Sequence, residues 1–216
     1  MGRSATLLLL ISVFAGFGMG SLAGQEIVDR IVARIENDII LMSDLEALKR
    51  YQIFVDGKSE PNDTILNRLI DQWIVQTEAN VSHFPRPSET EIQQSLDRLR
   101  KSFTSAEEYE ARKKQSGLSD SELREMTGLQ LFLSNYLDSR FRPVIQIEPK
   151  AIEDFYQNVA VPRAKARGQE PPSLDAARDF IQEALVQQAI NEQANQWLKE
   201  SRARLHIENL LEEGPK

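Results

Sequence analysis

The spacing of apolar residues predicts that most of the chain is helical. Between Asn62 and Val81 the apolar side chains recur every three or four positions, which places them on one face of a helix about 30 Å long. The stretch Phe84 to Pro87 ends that helix, because proline cannot continue the hydrogen-bond ladder. The apolar stripe consists of Ile65, Leu66, Leu69, Ile70, Trp73 and Ile74.

A second pattern marks where other helices begin. A serine followed three residues later by a glutamate is the capping-box signature, in which each side chain bonds the backbone of the other. Gly117 suits the left-handed end of one of these helices. Pro149 opens a helix to about Val159, and Ser173 opens one to about Arg204. The four capping boxes start at Ser43, Ser88, Ser105 and Ser119.

Two β-rich stretches lie at opposite ends of this helical chain. Residues 27–35 and 39–41 are apolar and largely β-branched, and Glu36-Asn37-Asp38 separates them. Asn and Asp tolerate the positive φ angles of a tight turn, so this region predicts a β-hairpin. Residues 205–211 predict a final short strand. The predicted fold class is therefore mainly α with a small β component.

One break in composition divides the helical part. Residues 161–172 contain three prolines, one glycine and three basic residues against one acidic residue, which predicts a loop. The predicted domain organisation is a single helical core over residues 24–216. It consists of an N-terminal part (24–160), the loop (161–172) and a returning C-terminal helix and strand (173–216).

The first residues have the pattern of a secretory signal peptide. Arg3 is the only charged residue before Glu26, an apolar stretch follows it, and Ser21-Leu22-Ala23 provides a small-x-small cleavage site. We therefore expect cleavage after Ala23, a periplasmic mature protein and no stable membrane insertion after cleavage. The alternative is an uncleaved anchor helix, since residues 4–25 carry no charge.

Composition and charge narrow the classes of function. The 216 residues include 26 Lys and Arg, 33 Asp and Glu, two His and no Cys, for a net charge of −7. The absence of cysteine excludes disulfides, thiol nucleophiles and cysteine-based metal sites. An acidic chain also lacks the clustered basic residues that a nucleic-acid binder needs, so no nucleic-acid partner is expected.

No catalytic motif is present, and the chain is predicted not to be an enzyme. There is no G-x-S-x-G, P-loop or H-E-x-x-H pattern, so no catalytic, cofactor-binding or metal-binding residue is assigned. His83 is interpreted as a half-buried turn residue or a cation at the C-terminal end of a helix, and His206 as a structural residue in the last strand. The carboxylates at Glu107, Glu108 and Glu110 are interpreted as a solvated helix face.

Six segments follow one another along the first part of the chain: Ile31–Leu45, LIDQWI (69–74), FTSAEEY (103–109), GLSDSELR (117–124), RFRPV (140–144) and PKAIEDFY (149–156). Their order resembles that of the SurA-like periplasmic chaperones. The resemblance covers about 130 residues in its first part, and a second part, Ser173 to Ile207, is similar to the returning helix and terminal strand of that family. It implies a helical fold similar to the SurA N-terminal domain and to trigger factor, in which the C-terminal strand pairs with the opening hairpin.

The chain departs from the family where the enzyme domain would lie. Family members carry one or two parvulin-type prolyl isomerase domains before the returning helix, and here only residues 161–172 occupy that place. A dozen residues are too few to form such a domain. The resemblance therefore implies the chaperone module without the isomerase.

The predicted function is an ATP-independent chaperone whose helical crevice binds unfolded secreted or outer-membrane polypeptides. The pattern of apolar stripes does not identify which side chains contact a bound peptide. Two alternatives stay open: a peptidyl-prolyl isomerase, by family association, and a helical adaptor that forms a homodimer by exchanging its C-terminal helix.

Overall fold

A computed structural model describes residues 29–211, in which helices predominate and three short strands form one antiparallel sheet. The predicted signal peptide, residues 1–23, lies outside the described residues. The elements are β1 (Ile31–Ile35), β2 (Asp38–Leu41), α1 (Met42–Asp56), α2 (Asn62–Val81), α3 (Glu89–Lys101), α4 (Ala106–Ser116), α5 (Asp120–Phe141), α6 (Pro149–Phe155), α7 (Val161–Ala166), α8 (Leu174–Arg202) and β3 (Ile207–Asn209).

The hairpin turn has its strained residue at a position that the sequence did not predict. Glu36 has a positive φ of 53°, whereas the prediction rested on Asn37 and Asp38. The Glu36 N–H donates to the His206 carbonyl (3.0 Å), and the Glu36 carboxylate accepts from the His206 N–H (2.7 Å). The last segment of the chain thus holds a conformation that glutamate by itself disfavours.

The two β-rich ends of the chain meet in one sheet. β3 pairs antiparallel with β1, which gives the strand order β2-β1-β3. Ile35 lies opposite Ile207, and Ala33 lies opposite Asn209. Because β1 is the central strand, both of its edges are covered, and its residue Val32 is fully buried. The fold class is therefore confirmed as mainly α, with a small hairpin joined by a C-terminal strand.

Two of the four predicted capping boxes are complete, at Ser88 and Ser119. At Ser105 only the serine half is present, because the Glu108 carboxylate accepts from the Thr104 N–H instead. The side chains of Ser88, Ser105 and Ser119 each accept a hydrogen bond from the backbone N–H three residues later. The box predicted at Ser43 was wrong, because α1 already begins at Met42. There the Asp44 carboxylate accepts from the Leu41 N–H (2.8 Å). The Asp44 carboxylate thus has the role of the glutamate in a capping box, while no side chain takes the role of the serine hydroxyl.

Helix α2 lies at the centre of the packing. It contacts β1, α1, α5 and α8. Ile70 and Ile74 pack with the buried face of the sheet, whereas Val75 and Ala79 pack against Phe132 of α5. The apolar stripe predicted from the sequence is therefore wide enough to pack against both the sheet and α5.

An aromatic cluster joins α1 to the α3–α4 corner. Phe54 is fully buried, and its ring centroid lies 5.2 Å from that of Phe103 and 5.4 Å from that of Tyr109. The Phe54–Tyr109 and Phe103–Tyr109 pairs are edge-to-face, which is a favoured geometry for aromatic rings. This cluster positions α4 against α1.

The predicted loop at 161–172 is in part helical. α6 continues through a π turn, Tyr156–Ala160, into α7, so that only residues 167–173 form the connection to α8. The Val161 N–H donates to the Tyr156 carbonyl, five residues back. This wider turn accommodates Pro162, whose ring would clash with the carbonyl four residues back in a regular helix. The Tyr156 hydroxyl then donates to the Pro172 carbonyl (2.6 Å).

Helix α8 belongs to two packing units. Its first half packs against α6 through Ile152, Ala177 and Ile181, and we call residues 149–189 the arm. Its second half packs with Phe141 and the sheet cluster, and we call residues 29–148 and 190–211 the core. With 29 residues, α8 spans about 44 Å and connects the two units.

Candidate functional site

A groove opens on the core between β2, α1, α2 and the first half of α5. Its volume is about 510 Å³, and it is open to solvent. This volume lies within the range of roughly 300–1,000 Å³ that is typical of ligand-binding pockets. The helix and strand packing described above holds all four walls, so the groove is a consequence of the fold.

The floor of the groove is mainly apolar. Ile39 of β2 stands at one side and is 49% exposed. Leu69 and Trp73 come from α2, and Met126 and Leu129 come from α5; all four are partly exposed. Large apolar side chains thus remain in contact with water, and covering them with another apolar surface would be favourable.

Trp73 is held in place by a hydrogen bond to the hairpin. Its indole N–H donates to the Asp38 carboxylate (2.9 Å) at the start of β2. The indole ring therefore lines the groove with one face, while its polar atom is satisfied at the edge. This contact fixes the distance between the hairpin and α2, the two elements that form one side of the groove.

Charged side chains form the lip of the groove. Asp44, Arg50, Glu122 and Glu125 line it. Arg50 donates to the Glu122 carboxylate (2.7 Å), which ties α1 to the start of α5. Asp44 and Glu125 are exposed. The lip thus carries more negative than positive charge.

The Glu122 carboxylate is stabilised in its ionised form. The backbone N–H of Ser119 donates to it (2.8 Å), and the Ser119 hydroxyl and Arg50 donate as well. These bonds, the backbone bond first, lower the pKa of Glu122 from 4.5 to about 2. Glu122 therefore stays charged, and it supports the lip as a structural group.

Two further depressions adjoin the groove along α2. One of about 550 Å³ is lined by Tyr51 and Val55 among others, and one of about 340 Å³ lies between α2, α5 and α8. Gln72 lines all three. Burial raises the pKa of Tyr51 above its ordinary value. The third depression is lined by neutral amides from three helices, among them Gln130 and Asn191.

The structure places both histidines away from the groove lining. His83 is exposed in the turn after α2, with a positive φ of 55°. His206 precedes β3, and its backbone bonds Glu36. His83 lies in a turn, as interpreted, but it is exposed and not half-buried. His206 lies just outside the strand in which it was predicted.

The acidic run on α4 is only partly a solvated face. Glu107 and Glu110 are exposed, but the Glu108 carboxylate accepts from the backbone N–H of Thr104 (3.0 Å) and so caps the start of the helix.

Within residues 29–211, no group of three or more acidic, histidine or cysteine side chains could hold a metal ion.

The length and hydropathy of the helices were compared with what a membrane-spanning helix needs. Over the described part of the chain, none of the helices combines the length and the apolar character that crossing a bilayer requires.

No protein-family model matches the chain, and a search of the curated proteins found no match. The geometry of the groove is therefore the basis for a functional proposal.

The groove residues were not identified from the sequence. Leu69 and Trp73 belong to a helical stripe that predicts core positions. Ile39 was placed in a strand, but the pattern did not predict whether its side chain is buried or exposed. Nothing in the spacing distinguishes a side chain covered by α5 from one that stands beside it. The way in which the hairpin and α5 pack on α2 decides how much of each side chain is covered. In this fold, Ile39, Leu69 and Trp73 stay partly exposed.

Proposed function

We propose that this protein is an ATP-independent chaperone that binds unfolded polypeptides in the groove between β2, α1, α2 and α5. The observation that carries the proposal is the open groove of about 510 Å³ with partly exposed apolar side chains on its floor. A client would cover Ile39, Trp73 and Met126 reversibly.

The expected affinity agrees with a binder that releases its client without ATP. Covering about 400 Å² of apolar surface yields about 10 kcal/mol before costs, at 25 cal/mol per Å². Ordering a flexible client and the side chains of the groove offsets much of that gain. Broad, micromolar binding follows, because a few apolar contacts discriminate weakly among sequences.

We also propose that the chain is a SurA-like protein that acts in the periplasm. The resemblance implies a returning helix whose terminal strand pairs with the opening hairpin, and the pairing of β3 with β1 supports this. The leader pattern of residues 1–23 supports export. The short 167–173 connection supports a chaperone module without an inserted isomerase domain.

Two matched variants test the groove. Ile39→Ser removes an exposed apolar side chain from the groove, and Phe180→Ser removes an even more exposed one (78%) from the arm. Burial of an isoleucine side chain contributes about 1.5 kcal/mol or more, which is about tenfold in affinity. We expect Ile39→Ser to raise about tenfold the concentration that halves aggregation of an unfolded outer-membrane protein, and Phe180→Ser to leave it unchanged.

Circular dichroism of both variants serves as the control for folding. The proposal fails if the unmodified protein gives no suppression at an equimolar ratio, or if the two variants are equally impaired. Measurable turnover in a proline-limited peptide assay would favour the isomerase alternative. A tight dimer in light scattering, without affinity for unfolded chains, would favour the adaptor.

A further inference from the structure

The lip of the groove carries carboxylates without a cationic partner. Asp38 lies against Trp73, and Asp44 and Glu125 line the groove directly. All three are exposed. Among residues 29–211, none of these three carboxylates forms a salt bridge within 4.0 Å.

The positive charge that lines the groove is already neutralised. Arg50 is the basic residue among the lining side chains, and its guanidinium lies 2.7 Å from the Glu122 carboxylate. Lys49, one residue earlier on α1, pairs with Glu46 (3.0 Å). An occupant of the groove therefore meets an apolar floor beside two carboxylates, Asp44 and Glu125, that form no salt bridge among the described residues.

We infer that the groove selects polypeptide segments in which one or two apolar side chains are flanked by lysine or arginine. This inference rests on the proposed function and adds the chemistry of the client. The apolar side chains cover Ile39, Trp73 and Met126, and the flanking cations approach Asp44 and Glu125. A segment flanked by acidic residues places like charges together and binds more weakly.

An exposed segment of this chemistry lies in the arm of the same chain. In α7, Val161 and Pro162 stand beside the exposed Arg163 and Lys165. A second copy could therefore compete for the groove through the tip of its arm, and the experiment must separate that occupant from a client.

Fluorescent peptides that share one apolar centre and differ only in their flanks provide the test. The flanks are lysine, serine or glutamate, and binding is measured by anisotropy at low and at high salt. Exposed ion pairs are weak individually, so two of them give about a fivefold to tenfold preference for the lysine flanks over the glutamate flanks. We expect high salt to remove most of that preference, because the lip is exposed.

Two charge-matched variants locate the effect. Glu125→Lys reverses a charge on the lip, and Glu110→Lys reverses an exposed charge on α4 that does not line the groove. Both change the net charge by the same amount. We expect Glu125→Lys to abolish the preference for lysine flanks and Glu110→Lys to retain it.

The possible results separate this inference from the proposed function. Equal affinity for all three peptides, with aggregation still suppressed, overturns the inference and leaves the chaperone proposal standing. Equal loss of preference in both variants also overturns it, because the effect is then one of net charge. No peptide binding and no suppression overturn both. A dimer in light scattering that Glu125→Lys dissociates assigns the groove to the arm of a second copy and overturns the client assignment.

Discussion

The core and the arm are built from similar helices but are held together differently. In the core, β1 is covered by β2 and β3, and α2 packs against the sheet, α5 and α8. In the arm, two helical segments joined by residues 167–173 pack on each other through a cluster around Ile152, Ala177 and Ile181.

From this difference we expect stability to be concentrated where distant parts of the chain meet. Core packing joins residues from both ends of the chain, whereas the arm is a helical hairpin of neighbouring segments. A unit with few long-range contacts can open locally while the rest stays folded. The two units are joined by α8 itself, by the Arg142–Glu183 ion pair (2.7 Å) and by apolar contacts such as that of Val186 with the Phe141 cluster.

The largest expected effect on stability comes from making the same isoleucine-to-alanine substitution in each of the two regions. Ile70→Ala in the core and Ile181→Ala in the arm each remove a buried side chain, 3% and 1% exposed, at a cost of about 2–5 kcal/mol. We expect Ile70→Ala to lower the free energy of unfolding measured by urea denaturation. We expect Ile181→Ala to reduce amide-exchange protection in residues 149–189 while α2 and α5 stay protected.

The comparison breaks if Ile181→Ala reduces protection throughout the chain as much as Ile70→Ala does. The arm and the core would then unfold as one cooperative unit, with α8 carrying the coupling between them.

A smaller effect is expected at two glycines with similar backbone angles. Gly57 (φ +78°) ends α1 in the core, and Gly168 (φ +68°) lies in the connection of the arm. A left-handed conformation costs an L-residue about 1–2 kcal/mol, so Gly168→Ala is expected to cost about that amount. A Cβ at Gly57 would also lie 2.6 Å from the Arg112 guanidinium, which must then move.

We therefore expect Gly57→Ala to lower the melting temperature more than Gly168→Ala does. Gly117→Ala is the matched control, since its φ is +67° and no other atom lies within 4 Å of an added Cβ. Equal losses at Gly57 and Gly117 would show that Arg112 moves aside without cost.

The smallest expected effect is the dependence of the free energy of unfolding on pH. The folded-state pKa of Glu122 is about 2, below its ordinary value of 4.5, so its contribution to stability is complete above pH 4.5 and is lost as pH falls toward 2. In urea titrations, the stability difference between the native protein and Glu122→Gln should be constant from pH 7 to 5 and then narrow. A difference that persists at pH 2 would contradict the assignment.

Glu183 is the counterpart in the arm. Its hydrogen bonds to Arg142 lower the pKa of this carboxyl as well, so its contribution also disappears on acidification. We expect Glu183→Gln to lower amide-exchange protection in the arm. We expect Glu122→Gln to lower it in the core.

Local signals in the sequence were accurate where a side chain acts on its own backbone. Ser88, Ser105 and Ser119 cap helices as predicted, and Gly117 ends α4 in the left-handed conformation. The apolar stripe of α2 predicted a helix with the observed bounds, Asn62–Val81. These features depend on residues within one helical turn, so a short window contains the determining information.

Predictions failed where a distant contact decides the conformation. Glu36, and neither Asn37 nor Asp38, takes the positive φ, because His206 bonds both its backbone and its side chain. Residues 161–166 are helical despite Pro162, because a π turn precedes them and α6 and the π turn pack against α8. Composition alone does not reveal either contact.

The sequence by itself determined the helical class, most helix starts and the presence of β-rich segments at both ends. Periodicity and capping are properties of neighbouring residues, and they suffice for those features. The resemblance already implied that the C-terminal strand joins the hairpin. Only the tertiary structure decided that this strand pairs with β1, and that Ile39, Leu69, Trp73, Met126 and Leu129 form the floor of one groove. The reason is physical: a stripe specifies which side chains avoid water, but the angle between elements decides which of them stay partly exposed.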